Sequence, residues 1–149
     1  MITISAHKAG LTKTENAARQ AKLLEKLLDV VKWDCSVRPA LGRYKGVEEE
    51  CFVVKVNVDD PKRITDIATG ICLLALEFDQ ECIGDINFDT NLMTTVSTAG
   101  ESRVYAIQAY RLNAPTTQDY LLLDGVYYCP GEDLTDAFAV YNIFLSCSE

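Results

Sequence analysis

Two helix starts, each flanked by strand-like runs, constrain this chain more than any other feature. Thr12-Lys13-Thr14-Glu15 has the spacing of a capping box, in which the Thr12 hydroxyl and the Glu15 carboxylate satisfy orphan amides at a helix N-terminus. The residues after it put Ala17, Ala21, Leu24, Leu28 and Val31 on one face, with Lys and Glu on the other, and the helix is expected to end near Trp33. Asp60-Pro61 marks the second start: Asp as N-cap, Pro in the first turn. Ile64, Ile67, Ile71, Leu74 and Phe78 then form a helical stripe.

Strand-like runs surround these helices at Met1–Ala6, at Ser36–Tyr44 (where Pro39 points to an edge position or an irregular start), at Cys51–Val58 and at Cys82–Phe88. The order is βαββαβ. It predicts an α+β domain of ferredoxin-like type, an antiparallel sheet with two helices on one face, over residues 1–90. Residues 91–149 read as a C-terminal elaboration of the same single domain. In it, Asp89–Gly100 is polar and expected as a long hairpin or loop, and Arg103–Leu112 as a fifth strand. Asn113–Gln118 reads as a loop, and Tyr120–Cys129 as a hairpin turning at Asp124-Gly125 and ended by Pro130-Gly131. Leu134, Phe138, Tyr141 and Leu145 suggest a terminal helix.

A chain of 149 residues with 48% hydrophobic residues can bury a core without disulfides and is not a disordered tail. Its net charge of −8 argues against nonspecific nucleic-acid binding. The six cysteines (Cys35, Cys51, Cys72, Cys82, Cys129 and Cys147) form no CxxC pair, and His7 is the sole histidine, so no metal site is expected. The cysteines read as reduced packing thiols of a cytoplasmic protein. The opening MITISAHKAG lacks the apolar run of a signal peptide, and no run approaches the ~20 apolar residues of a membrane span.

The chemistry concentrates in Leu41–Val56, which reads as strand, turn, strand. Tyr44 lies between Gly42 and Gly46, and Glu48, Glu49 and Glu50 follow. Such a hairpin holds a phenol and a carboxylate near its open end, suited to a small polar or cationic ligand. The plainer readings are a strand-end aromatic covering the core for Tyr44, a solvated turn for the glutamates and a polar connector for Gln80-Glu81. His7 beside Lys8 reads as surface without a role. Tyr120, Tyr127, Tyr128 and Tyr141 read as packing residues, and Arg38 and Arg43 flank the second strand.

Gly42-Arg43-Tyr44, then Glu49-x-Cys51-Phe52-x-Val54, a helix, and Gln80-Glu81-Cys82-Ile83 together resemble the phage S-adenosylmethionine-degrading enzymes, long called hydrolases and now described as lyases. The order and rough spacing agree over residues 36–86, while the chain after Asp89 departs from the pattern. The resemblance implies a trimer of the PII type, in which three ferredoxin-like subunits join their sheets and bind ligands in the clefts between them. It implies cleavage of S-adenosylmethionine to methylthioadenosine and homoserine lactone, which protects phage DNA from restriction systems that need the cofactor. It also implies Tyr44 and Glu49 as catalytic positions, with Gln80, Gly46 and Arg43 as substrate contacts.

That reaction suits a chain without a Ser-His-Asp pattern. The substrate's own carboxylate attacks its γ-carbon and expels the thioether, so neither a protein nucleophile nor a metal or cofactor is needed. Orienting the methionine tail is the main task and can supply ~7–11 kcal/mol. Tyr44 would pack near the sulfonium, Glu49 would hold the amino group or order a water, and Gln80 would read an adenine or ribose edge. The alternatives are a non-catalytic PII-like trimer that binds a nucleotide or a host protein, and, ranked last, an acidic decoy for a DNA-binding protein. None of these readings involves nucleic acid or membrane as a partner.

Overall fold

The computed structural model describes residues 1–111, 113, 115 and 118–138. Eight antiparallel strands close into a barrel, with two helices packed on its outside. In chain order the elements are β1 (Ile2–Ile4), α1 (Lys13–Val31), β2 (Cys35–Tyr44), β3 (Val47–Val56), α2 (Pro61–Glu77), β4 (Cys82–Asn87), β5 (Leu92–Ser97), β6 (Ser102–Tyr110), β7 (Tyr120–Leu123) and β8 (Val126–Asp133). Around the barrel the neighbours run β1-β3-β2-β7-β8-β6-β5-β4, and β4 returns to β1.

This corrects the expected ferredoxin-like, PII-like architecture. The open sheet expected for residues 1–90 would end at β2 and at β4. Instead β7 pairs with β2 through Leu41–Arg43, and β5 pairs with the whole of β4, so neither edge is left free. Closure relieves each of these strands of the unpaired row of amides that an edge must otherwise protect. Asp89–Gly100, expected as a hairpin or loop, contains β5, whose Thr94, Thr95 and Val96 are β-branched and suit a pleated strand. Pro130-Gly131 does not end the hairpin: β8 continues to Asp133 through a register shift against β6. A Cβ on Gly131 would stand 2.8 Å from the Ala106 carbonyl oxygen, so the close approach at this bulge requires glycine. Helical structure begins at Thr135–Phe138, and the rest of the expected terminal helix lies outside the described residues.

Both helix starts form as their sequences dictate. Thr12 accepts from the Glu15 amide at 3.1 Å while Glu15 accepts from the Thr12 amide at 2.9 Å, and Asp60 accepts from the Lys62 amide with Pro61 in the first turn. The apolar face of α1, however, is turned one residue from the expected stripe. Leu23, Leu27 and Val31 are buried, Leu28 is half exposed, and the polar Asn16 and Gln20 continue the buried face. These two side chains are buried because they bond the backbone of residues after β1.

Two apolar clusters divide the molecule. One lies between the helices and the outer face of β1, β3 and β4, including Ile4, Leu23, Leu27, Phe52, Val54, Ile67, Ile71 and Ile83. The other fills the barrel interior with Cys51, Val53, Ile86, Ile107, Leu121 and Leu123. β2 runs unbroken through Pro39, which faces Phe52 of β3 at a level where β7 no longer pairs with β2. Among the described residues no helix is long and apolar enough to cross a membrane.

Candidate active site

Strands β1, β2, β5 and β8 end at one rim of the barrel, and β3, β4, β6 and β7 begin there. The β2–β3 connection at this rim is a two-residue turn. Lys45 (φ 49°) and Gly46 (φ 79°) both take the left-handed conformation, as a type I′ hairpin requires. The register sets Gly42 opposite Glu49 and Tyr44 opposite Val47. Alternation along each strand then puts Tyr44 and Glu49 on one face, the face that Cys51 and Val53 continue into the interior. Gly42 leaves the space across from Glu49 without a side chain.

Around this pair the rim is densely polar. The Tyr44 hydroxyl donates to Glu81 Oε2 at 2.9 Å, and Lys45 Nζ donates to the same oxygen at 2.7 Å. The Lys45 ammonium also stands 5.4 Å from the centre of the Tyr44 ring, so the aromatic face already holds a cation. Burial, then hydrogen bonds with Cys82 and Glu81, drive the Tyr44 phenol far above its usual range and keep it a neutral donor. Hydrogen bonds from Lys45 and Tyr44 hold Glu81 below the usual carboxylate range. Glu49 behaves oppositely: burial, reinforced by the Asp119 charge, pushes its carboxyl up to about 7. Its other neighbour is His7, whose Nδ1 lies 3.5 Å from Glu49 Oε2. Burial, then the charge on Glu49, pushes the Cys51 thiol up to about 12, and burial likewise raises Cys82, so both remain unreactive thiols.

The other positions singled out in the sequence divide. Gly46 is a turn residue at the hairpin tip, with open space where its Cβ would be. Arg43 points to the opposite face of β2 from Tyr44; it donates to the Pro115 carbonyl at 2.8 Å and lies 4.7 Å from the Tyr120 ring centre. Gln80 spends its amide protons on the carbonyls of His7 and Phe78, both at 3.1 Å. Of the three consecutive glutamates, Glu48 accepts from the Tyr120 hydroxyl at 2.8 Å on the outer face, and all three lie within β3 rather than in a solvated turn. The sequence reading gives His7 no role, takes Glu81 as part of a polar connector and does not single out Asp119. Glu81 was signalled by the Gln80-Glu81 pair, whereas nothing local marked the other two. A groove of about 320 Å³ beside α1, lined by Gln20, Pro39, Leu41, Glu50 and Phe52 among others, opens on the outer face of the same strands and includes neither Tyr44 nor Glu49.

Residues 2–129 match the family described as the S-adenosylmethionine lyase family. The chain belongs to the S-adenosylmethionine lyase family. Membership makes it an enzyme that cleaves a carbon–sulfur bond of S-adenosylmethionine. No curated protein matches the chain.

Proposed function

We propose that this lyase binds S-adenosylmethionine at the barrel rim, with Tyr44 and Glu49 as its catalytic residues. The observation that carries this is the pairing, on one face at one rim, of a neutral phenol whose ring already lies near an ammonium and a carboxylate that burial lifts to about 7. The substrate carries a sulfonium and an ammonium. The sulfonium displaces the exposed Lys45 ammonium from the Tyr44 ring, a contact worth ~0.5–2 kcal/mol. The ionised Glu49 carboxylate accepts from the substrate ammonium, and Glu81 adds negative charge beside it. Gln80 and Gly46 serve by shaping the rim, and Arg43 by tying the Pro115 carbonyl to β2.

Held this way, the substrate's carboxylate oxygen forms a bond to its γ-carbon as the γ-carbon–sulfur bond breaks. The electron pair of that bond neutralises the sulfonium. Methylthioadenosine leaves and homoserine lactone remains, with no proton transferred. The role of Glu49 is therefore orientation and charge, so kcat/KM falls as pH drops through about 7. A homotrimer with substrate in clefts between subunits, and depletion of the cofactor against restriction in a host cytoplasm, belong to the same proposal and rest on the sequence resemblance alone. With the sheet closed, subunits would meet through side-chain faces rather than strand edges.

Incubation with S-adenosylmethionine and mass spectrometry of the products tests this reading. Methylthioadenosine with homoserine lactone is expected, and Glu49→Gln should lower turnover about 10–100-fold, the value of a hydrogen bond to a charged group. Unchanged turnover in Glu49→Gln refutes the assignment of the site.

A further inference from the structure

The segment Ser5–Lys8 leaves β1 at the rim, and its backbone is held almost entirely by side chains. The Ala6 amide donates to Gln20 Oε1 at 3.4 Å, and the Ala6 carbonyl accepts from Arg19 Nε at 2.7 Å. The His7 amide donates to Ser5 Oγ at 3.0 Å, and the His7 carbonyl accepts from Gln80 Nε2 at 3.1 Å. Asn16 takes both polar groups of Lys8, its Oδ1 accepting at 2.9 Å and its Nδ2 donating at 3.2 Å. Ser5 Oγ in turn donates to the Glu50 carbonyl at 2.7 Å and accepts from the buried Gln20 amide. Five side chains from three parts of the chain thus fix four residues that have little regular structure of their own. Buried polar networks with every member satisfied are rigid. What this one positions at the rim is His7, with Nδ1 3.5 Å from Glu49 and both side chains 21% exposed.

We propose that His7 is a positioning residue for Glu49: its imidazole, fixed by the network around Ser5–Lys8, holds the carboxylate towards the rim in the orientation that receives the substrate ammonium. The groups that face Glu49 from the surrounding elements are few. Cys51 lies on its own strand, Cys82 on β4 and Asp119 ahead of β7, and their interaction with it is unfavourable to its charge or neutral. Lys8, next to His7, is paired instead with Asp79 at 3.4 Å. Arg19 is committed to the carbonyls of Ala6 and Phe78. Lys45, at the same rim, is paired with Glu81 at 2.7 Å. His7 is therefore the side chain that the structure sets against this carboxylate, at 3.5 Å. The consequence for catalysis rests on the reading of Glu49 given above, but the coupling itself does not.

Carbon-detected NMR of glutamate side chains in the full-length protein, with Glu49→Gln to assign the signal, measures the coupling directly. In His7→Ala the Glu49 midpoint should rise by about 1 pH unit. The ionised fraction at pH 7 then falls about fivefold, and KM should rise by a similar factor at that pH while recovering at pH 9. His7→Asn, whose amide can donate from near the Nδ1 position, should recover the low KM that His7→Ala loses. An unmoved Glu49 midpoint in His7→Ala overturns the proposal. So does a loss of activity equal at every pH, which would mark His7 as structural. If Glu49→Gln keeps full turnover while the midpoint still moves, the catalytic reading of Glu49 fails and the His7–Glu49 coupling stands.

Discussion

Replacing Glu49 by Gln should stabilise the protein while it damages the enzyme. The carboxyl titrates near 4.5 when unperturbed and at about 7 in the fold. The folded state therefore holds its proton more tightly than the unfolded state, and stability falls as pH rises from about 4.5 to about 7. Above that window the whole penalty is present. At 1.36 kcal/mol per tenfold, the difference is worth about 3 kcal/mol at pH 8. Gln removes the charge but leaves an amide that needs partners at a half-dry rim, which returns about 1 kcal/mol. A net gain of about 2 kcal/mol corresponds to roughly 4–8 °C in Tm for a chain of this size. The assay is thermal unfolding of both proteins at matched concentration, at pH 8 and again at pH 4.5, where the wild-type side chain is neutral in the fold. The gain should be present at pH 8 and largely absent at pH 4.5. A variant no more stable than wild type at pH 8, or one equally favoured at both pH values, refutes the argument that burial sets the state of Glu49.

Two further substitutions probe the rim and the barrel wall. Tyr44→Phe keeps the ring but removes the donor to Glu81; turnover should fall by no more than about tenfold, whereas Tyr44→Ala, which also removes the cation-binding face, should fall further in steady-state kinetics. Gly131→Ala sets a methyl group against the Ala106 carbonyl at 2.8 Å and should destabilise by about 1–3 kcal/mol, read as a lower urea midpoint at unchanged slope.

Helix order was legible because capping is local: Thr12, Glu15, Asp60 and Pro61 announce their helices within a few residues. Barrel closure was not. It depends on β7 finding β2, and on β8 finding β6, across long stretches of chain, and no local signal reports a partner. The Thr- and Ser-containing β5 looks like a loop in composition, yet paired on both sides by β4 and β6 it satisfies its backbone as well as any apolar strand. The one-residue error in the buried face of α1 has a similar origin. Asn16 and Gln20 are polar by type but buried by function, since the segment they hold has no strand neighbour to bond.

The site was half legible for a reason visible along β3. Both of its faces are apolar beyond the glutamates, with Phe52 and Val54 towards the helices and Cys51 and Val53 towards the barrel interior. A period of two assigns Glu49 to the second set and Glu48 and Glu50 to the first, but sequence does not say which set faces a rim that can admit a ligand. Closure supplies that answer. The inward series Val53, Cys51, Glu49 runs from 2% and 7% exposure to a carboxyl at the mouth, so one strand marks the depth at which water begins. Deeper, a carboxylate would stay protonated and could not hold an ammonium; further out, it would be solvated and bind weakly. The wall of α1 residues beneath β1 then brings His7 to that same depth. The chemistry of this rim is thus set by where the apolar filling of the barrel stops.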